Sequence, residues 1–118
     1  GIESRGFITA SALAFKQETG FIPIRKPNKL PGKVIGVNYK LEYGEDRLEI
    51  QQNSIEKGSK IIVIDDLLAT GGTAVAAGKL IEEAGGDLIG YAFLIELTEL
   101  QGRKKLATNL FVESLIKY

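Results

Sequence analysis

The chain has 118 residues, enough for one domain, with 44% hydrophobic and 25% charged side chains and a formal net charge of +0. That neutral balance gives no sign of a nucleic-acid or membrane-surface binder, and no apolar run approaches the roughly 18 residues of a spanning helix. The absence of cysteine and histidine rules out a disulfide framework, thiol nucleophiles, imidazole acid–base catalysis and most zinc sites, leaving proton chemistry to carboxylates, lysines, tyrosines or a substrate.

No secretory signal pattern opens the sequence. It starts at Gly1 and lacks methionine, so the expectation is a processed or truncated piece of a longer product. Gly1-Ile2-Glu3-Ser4-Arg5-Gly6-Phe7 reads as a loop ahead of a helix, and Arg5 carries a planar fork of donors suited to phosphate, although such an arginine is more often solvated. Ile8, Ala12 and Phe15 at helical spacing, with Gly20 as a stop, predict a helix over 8–19. Phe21 to Ile24 predicts a short strand, which Pro23 marks as a strand start or an edge. Residues 25–33 combine Arg25, Lys26, Lys29 and Lys33 with Pro27, Pro31 and Gly32, a basic loop that is either a solvated surface or an anion-binding one.

Residues 34–43 and 47–51 read as extended and joined near Gly44-Glu45-Asp46, with enough alternation at Leu41, Tyr43, Leu48 and Ile50 for a β-hairpin arm. After a turn at Glu56-Lys57-Gly58-Ser59, the β-branched run Ile61-Ile62-Val63-Ile64 predicts a strand buried on both faces. Ala77, Leu80, Ile81 and Ala84 predict an amphipathic helix over 74–84, ended by Gly85-Gly86. Leu88 to Ile95 and Leu110 to Ile116 predict two further strands. The alternation gives an α/β class with a mainly parallel sheet flanked by helices, in one domain over 1–118.

The strongest chemistry lies between the strand at 61–64 and the helix at 74. Ligands of open α/β sheets bind beyond the carboxyl ends of the strands, where Ala69-Thr70-Gly71-Gly72-Thr73 stands. Adjacent glycines let backbone N–H groups approach an anion, the helix N-terminus adds unpaired donors, and Thr70 and Thr73 add hydroxyls. No lysine follows the glycines, so this is not a Walker loop, and their adjacency excludes a dinucleotide fingerprint. Asp65 and Asp66 would repel a phosphate but suit the hydroxyls of a sugar attached to it. Phosphate on the loop and ribose on the acids describe a ribose 5-phosphate site; the plain alternative is an acid-capped turn.

The segment Val63 to Thr73 resembles the phosphoribosyl-pyrophosphate motif of type I phosphoribosyltransferases. The resemblance implies that Asp65 and Asp66 bind the ribose hydroxyls and that Ala69, Thr70, Gly71, Gly72 and Thr73 bind the 5-phosphate. The Arg5-Gly6-Phe7 segment is similar to the pyrophosphate loop of the adenine-using members of that family. This implies pyrophosphate binding by Glu3, Ser4 and Arg5, and a non-proline cis peptide at Glu3–Ser4. Arg25-Lys26-Pro27-Asn28-Lys29-Leu30-Pro31-Gly32 also resembles those members and implies that Arg25, Lys26 and Lys29 hold pyrophosphate. Leu41-Glu42-Tyr43-Gly44 is similar to the tip of a mobile lid, implying an acid–base or charge-stabilising role for Glu42 and a lid role for Tyr43; composition alone reads an exposed hairpin there. Ile95-Glu96-Leu97 and Gly102-Arg103-Lys104-Lys105-Leu106 add likeness without evident chemistry.

The likeness runs the length of the chain. It implies a type I phosphoribosyltransferase fold with a β-hairpin lid, whose N-terminal hood over the base is expected to be absent here. It further implies transfer of a phosphoribosyl group from phosphoribosyl pyrophosphate to adenine in purine salvage, giving AMP and pyrophosphate. Magnesium would be held mainly by substrate, with no direct protein ligand. The expected setting is a cytoplasmic homodimer with no nucleic-acid or membrane partner. Three alternatives stay open: a non-catalytic phosphoribosyl-pyrophosphate-binding regulator, an inactive fragment, and a xanthine or other purine enzyme.

Overall fold

The β-branched run Ile61 to Ile64 lies within a longer strand in the computed structural model, which describes residues 1–118. In chain order the elements are α1 (Gly6–Gln17), β1 (Val34–Lys40), β2 (Glu45–Gln51), β3 (Lys60–Leu68), α2 (Gly72–Glu83), β4 (Asp87–Glu96) and β5 (Phe111–Lys117). Two 3-10 turns, Thr98–Leu100 and Gly102–Lys105, separate β4 from β5. The α/β class with a parallel sheet, expected from the alternation of elements, is what the structure has. Strands β3, β4 and β5 form a parallel sheet with β4 in the middle, and β1 and β2 form an antiparallel hairpin.

Strand β3 runs past the expected boundary at Ile64. Asp65 pairs with Phe93, Leu67 with Ile95 and Leu68 with Glu96, so both acids sit inside the ladder rather than after it. Backbone pairing with the apolar stretch of β4 outweighs the low strand propensity of aspartate. Helix α2 begins earlier than predicted, at Gly72, with Gly71 left-handed at φ 86° ahead of it. Gly72 and Thr73 therefore belong to its first turn.

Phe21–Ile24 does not form the predicted strand. Pro23 offers no N–H to a ladder, and the segment makes only an isolated parallel bridge between Ile2 and Ile24, followed by an antiparallel one between Arg25 and Glu49. The Ile2 N–H also donates to the Ile64 carbonyl at 3.1 Å, which fixes the opening loop beside the second half of β3. Helix α1 starts at Gly6 and ends at Gln17, and Glu18 takes the left-handed cap at φ 54° in place of the expected Gly20. A Cβ on Gly6 would lie 2.9 Å from an Asp65 carboxylate oxygen and 2.9 Å from the Ile64 carbonyl, so glycine is required for α1 to enter this close to β3.

The core lies between α2, the hairpin and the sheet. Leu48, Ile50, Val63, Leu68, Ala77, Leu80, Ile81, Tyr91 and Phe93 are buried together there. The expectation that the 61–64 run is buried on both faces is only partly met: Val63 and Ile64 are buried, but Ile62 is 38% exposed. It borders an open cleft whose lining includes Leu13, Ala14, Phe21 and Ile22, because α1 covers that face incompletely. No helix is long and apolar enough to cross a membrane.

Leu80 is fully buried where α2 meets the core. Leu80→Ala is expected to lower unfolding free energy by about 2–4 kcal/mol, through lost apolar burial and the cavity left behind. Urea titration followed by circular dichroism measures this, and a loss below about 1 kcal/mol would contradict the packing described.

Candidate active site

Four segments converge at the carboxyl end of β3: the opening loop, the acid pair, the glycine loop ahead of α2, and the second 3-10 turn. Asp65 and Asp66 are held in the strand, and the Asp66 N–H donates to an Asp65 carboxylate oxygen at 2.9 Å. Burial pushes the Asp65 carboxyl up to about 7, and the neighbouring Asp66 charge adds to the rise. Asp66 behaves oppositely. Burial would raise it, but the hydrogen bond from Arg5, Asp65 and the Arg5 charge outweigh burial and hold it below the ordinary carboxylate range. Arg5 donates from Nε to the Asp66 carboxylate at 2.5 Å while its side chain stays 74% exposed. One acid is thus compensated by an exposed cation and the other is not, as like charges in adjacent positions require.

The glycine loop follows directly. Ala69 and Thr70 leave the strand, Gly71 takes the left-handed turn, and Gly72 and Thr73 open α2. No side chain caps this helix, so its first N–H groups remain free for an acceptor. The loop is backed by Gly102. A Cβ on Gly102 would lie 2.2 Å from the Ala69 carbonyl oxygen, and one on Gly71 would lie 2.6 Å from the Gly102 carbonyl oxygen. The two glycines let backbone pack on backbone.

A second cluster joins the opening loop to the basic loop. The Glu3–Ser4 peptide bond is cis, as the resemblance implied. The Glu3 side chain is only 6% exposed. Its Oε2 accepts from Arg25 Nη2 at 2.9 Å and Lys29 Nζ at 3.1 Å, and its Oε1 accepts from the Lys26 N–H at 2.7 Å. Burial would raise the Glu3 carboxyl, but those donors outweigh it and keep the group ionised below its usual range. Lys26 Nζ turns to Asp46 and to the Tyr39 hydroxyl on the hairpin. Glu49, also buried, accepts from the Asn28 N–H at 3.0 Å and from Arg47 Nε at 3.1 Å. The basic loop therefore folds around two buried carboxylates, with Arg25 and Lys29 gathered at Glu3 of the opening loop and Lys26 turned to the hairpin.

The structure brings Arg5 to Asp66, and Arg25 and Lys29 to Glu3. It leaves Glu42 and Tyr43 at the exposed tip of the hairpin, where the Leu41 N–H donates to the Gly44 carbonyl at 2.9 Å; neither side chain bonds to the acid pair. No group of three or more acidic side chains is arranged to hold a metal ion unaided. Sequence reasoning marked Gly102, Glu96 and Arg103 only as family likeness and gave them no role; they lie against or behind the glycine loop. Glu96 is 5% exposed and is gripped by Arg103 from Nε at 3.0 Å and Nη2 at 2.5 Å. The Arg103 hydrogen bonds, with help from Ser114, hold its carboxyl down at about 2. The available signal was a charged residue closing an apolar strand, with Gly-Arg a short turn later.

Comparison with known proteins adds to this geometry. A family model described as a phosphoribosyl transferase domain matches residues 1–116. The adenine phosphoribosyltransferase of Prochlorococcus marinus (strain NATL1A) is 80% identical over 118 residues, which span 100% of this chain and 69% of that protein. The crystal structure of adenine phosphoribosyltransferase from Rhodothermus marinus DSM 4252 matches with a TM-score of 0.96 at 48% identity, over 100% of this chain and 67% of that one. The Saccharomyces cerevisiae adenine phosphoribosyltransferase, solved with an imino-altritol bisphosphate and adenine, matches with a TM-score of 0.89 at 47% identity, over 95% of this chain and 64% of that one.

The raised Asp65 carboxyl has a signed consequence for stability. The folded state binds this proton more tightly than the unfolded chain, so ionising the group costs stability as pH rises from about 4 to about 7. Asp65→Asn, which keeps an oxygen for the Asp66 N–H, is therefore expected to be more stable than the parent by about 1–3 kcal/mol at pH 8, and by much less at pH 5. Denaturant titrations at both pH values read the difference; a gain independent of pH would remove the assignment.

Proposed function

This chain belongs to the phosphoribosyltransferase family, and on that premise we propose that it transfers the 5-phosphoribosyl group of phosphoribosyl pyrophosphate to adenine, releasing AMP and pyrophosphate in purine salvage. The observation that carries the reading is the continuous run from Asp65 through Thr73. Two carboxylates sit beside a glycine loop that opens an uncapped helix, which suits a sugar diol joined to a phosphate. The adenine phosphoribosyltransferases among its relatives support the choice of base.

In this reading Asp65 and Asp66 accept hydrogen bonds from the ribose hydroxyls. The amides of Ala69, Thr70, Gly71, Gly72 and Thr73, with both threonine hydroxyls, hold the 5-phosphate. Arg5, Arg25, Lys26 and Lys29 face the pyrophosphate. Glu3 and Ser4 shape that subsite, Glu3 through the cations it orients. The C1–oxygen bond breaks as a base nitrogen attacks, and positive charge develops on the ribose. The residues act by positioning both partners and neutralising the leaving group, with no covalent intermediate on the protein.

When Arg5 transfers to pyrophosphate, Asp66 is freed and becomes available to the ribose. Glu42, exposed at the hairpin tip, closes over the centre as acid–base or charge stabiliser, with Tyr43 as part of the lid that excludes water. Magnesium, held mainly by substrate with no direct protein ligand, would have Asp65 and Asp66 near it as outer partners and would supply charge neutralisation at the pyrophosphate. The working form is a cytoplasmic homodimer, and the domain is the catalytic core of the enzyme.

The test is nucleotide formation from phosphoribosyl pyrophosphate with magnesium and adenine, hypoxanthine, guanine or xanthine in turn. AMP is the expected product; XMP or GMP as the main product would replace adenine in the reading, and no product from any base would overturn it. Asp65→Asn/Asp66→Asn is expected to weaken phosphoribosyl-pyrophosphate binding by a factor on the order of a hundred or more. Unchanged affinity would end the ribose assignment. Glu42→Gln is expected to lower kcat about ten- to a hundredfold with little change in substrate affinity, and parental turnover would remove Glu42 from the chemistry.

A further inference from the structure

Behind the glycine loop lies a charged pair that has no part in the chemistry just described. Glu96 is the last residue of β4 and pairs with Leu68, the last residue of β3. The Leu97 N–H donates to the Leu68 carbonyl at 2.9 Å, so Glu96 stands beside the point where the chain enters the loop. Arg103 reaches back from the second 3-10 turn and donates to both Glu96 oxygens, at 3.0 and 2.5 Å. It also donates to the Val112 carbonyl at 2.6 Å, and Ser114 donates to Glu96 at 2.8 Å. The guanidinium is thus tied to the end of one strand and the body of the next.

The residue before Arg103 is Gly102, which is buried against the loop. A single Cβ there would meet the Ala69 carbonyl oxygen at 2.2 Å, the Gly71 nitrogen at 2.9 Å and the Thr70 carbonyl carbon at 3.0 Å. With Glu96 buried and Arg103 part-exposed, the pair is a poor source of net stability, because solvent screening and desolvation of the acid offset much of its attraction, but a planar fork on a carboxylate fixes direction well. What it fixes here is the backbone that abuts residues 69–71.

We propose that Glu96 and Arg103 are positioning residues for the 5-phosphate subsite: by anchoring the second 3-10 turn they press the Gly102 backbone against Ala69–Gly71 and set the loop's amides for phosphate. This rests on the reading of that loop given under Proposed function. It predicts a ligand-selective defect, because the pyrophosphate cluster around Glu3 is built from other segments. A pair that served only to hold β5 on the sheet would change stability and leave ligand preference unaltered.

The experiment titrates ribose 5-phosphate and inorganic pyrophosphate separately into the whole protein by calorimetry, for the parent, Gly102→Ala and Arg103→Lys. Ribose 5-phosphate should bind Gly102→Ala on the order of tenfold more weakly or worse, with pyrophosphate affinity within about twofold of the parent. Arg103→Lys, which keeps the charge and loses the fork, should show the same selective loss in smaller measure. In steady state the defect should appear in KM for phosphoribosyl pyrophosphate more than in kcat. Parental ribose 5-phosphate affinity in folded Gly102→Ala, or equal losses for both ligands, would overturn the proposal. Should Gly102→Ala not fold, the same split in Arg103→Lys decides, and its absence there overturns it. Failure of the parent itself to bind ribose 5-phosphate would strike the loop assignment and not merely its support.

Discussion

Two adjacent carboxylates inside a partly buried strand are costly, and much of the surrounding structure answers that cost. Asp65 is driven toward its neutral form by burial, while Asp66 keeps its charge with Arg5 beside it. The Asp66 N–H and the close entry of α1 at Gly6 fix where Asp65 can point. A chain that needed only a strand at this place would carry β-branched residues, as β3 does through Ile64. The acids interrupt that pattern where ligands of parallel sheets bind, and the local disfavour is characteristic of a functional position.

Charge is handled by the same logic elsewhere. Every strongly buried acid has its own cationic or amide partners: Glu3 with Arg25, Lys29 and the Lys26 N–H, Glu49 with Arg47 and the Asn28 N–H, and Glu96 with Arg103 and Ser114. No buried side-chain polar atom is left without a partner. These acids hold loops rather than helices or strands against one another. Their fixed directions give irregular backbone a definite shape where apolar contacts, which lack direction, would not.

Arg5 and Lys26 stand apart from those buried acids because their present partners are more accessible. Arg5 rests on Asp66, and Lys26 on Asp46 of the hairpin. Asp66 and Asp46 are 24% and 27% exposed, against 6–9% for Glu3, Glu49 and Glu96, so water screens these two contacts and an anionic ligand can exchange with them. In the proposed reaction, pyrophosphate would draw Arg5 from the ribose acids and Lys26 from the lid hairpin. Binding of the leaving group would then be linked to both the sugar subsite and the cover.

The local pattern of the sequence determined the α/β alternation, the hairpin, α2 and the glycine loop, because each is written in residue period or in backbone freedom over a few positions. It also marked Asp65, Asp66 and the basic segment by the sign of their charge. Tertiary structure decided that β3 continues through the acids, since only pairing with β4 makes that register favourable. It denied Phe21–Ile24 a strand, since Pro23 and the lack of a continuous partner leave single bridges. It also turned Glu3, Glu49, Glu96, Gly102 and Arg103 into the supports of two loops. Apart from Arg47, a near neighbour of Glu49, those residues meet partners at 7 to 26 positions' remove, or one backbone on another, and no local periodicity encodes a contact made only when the sheet has formed.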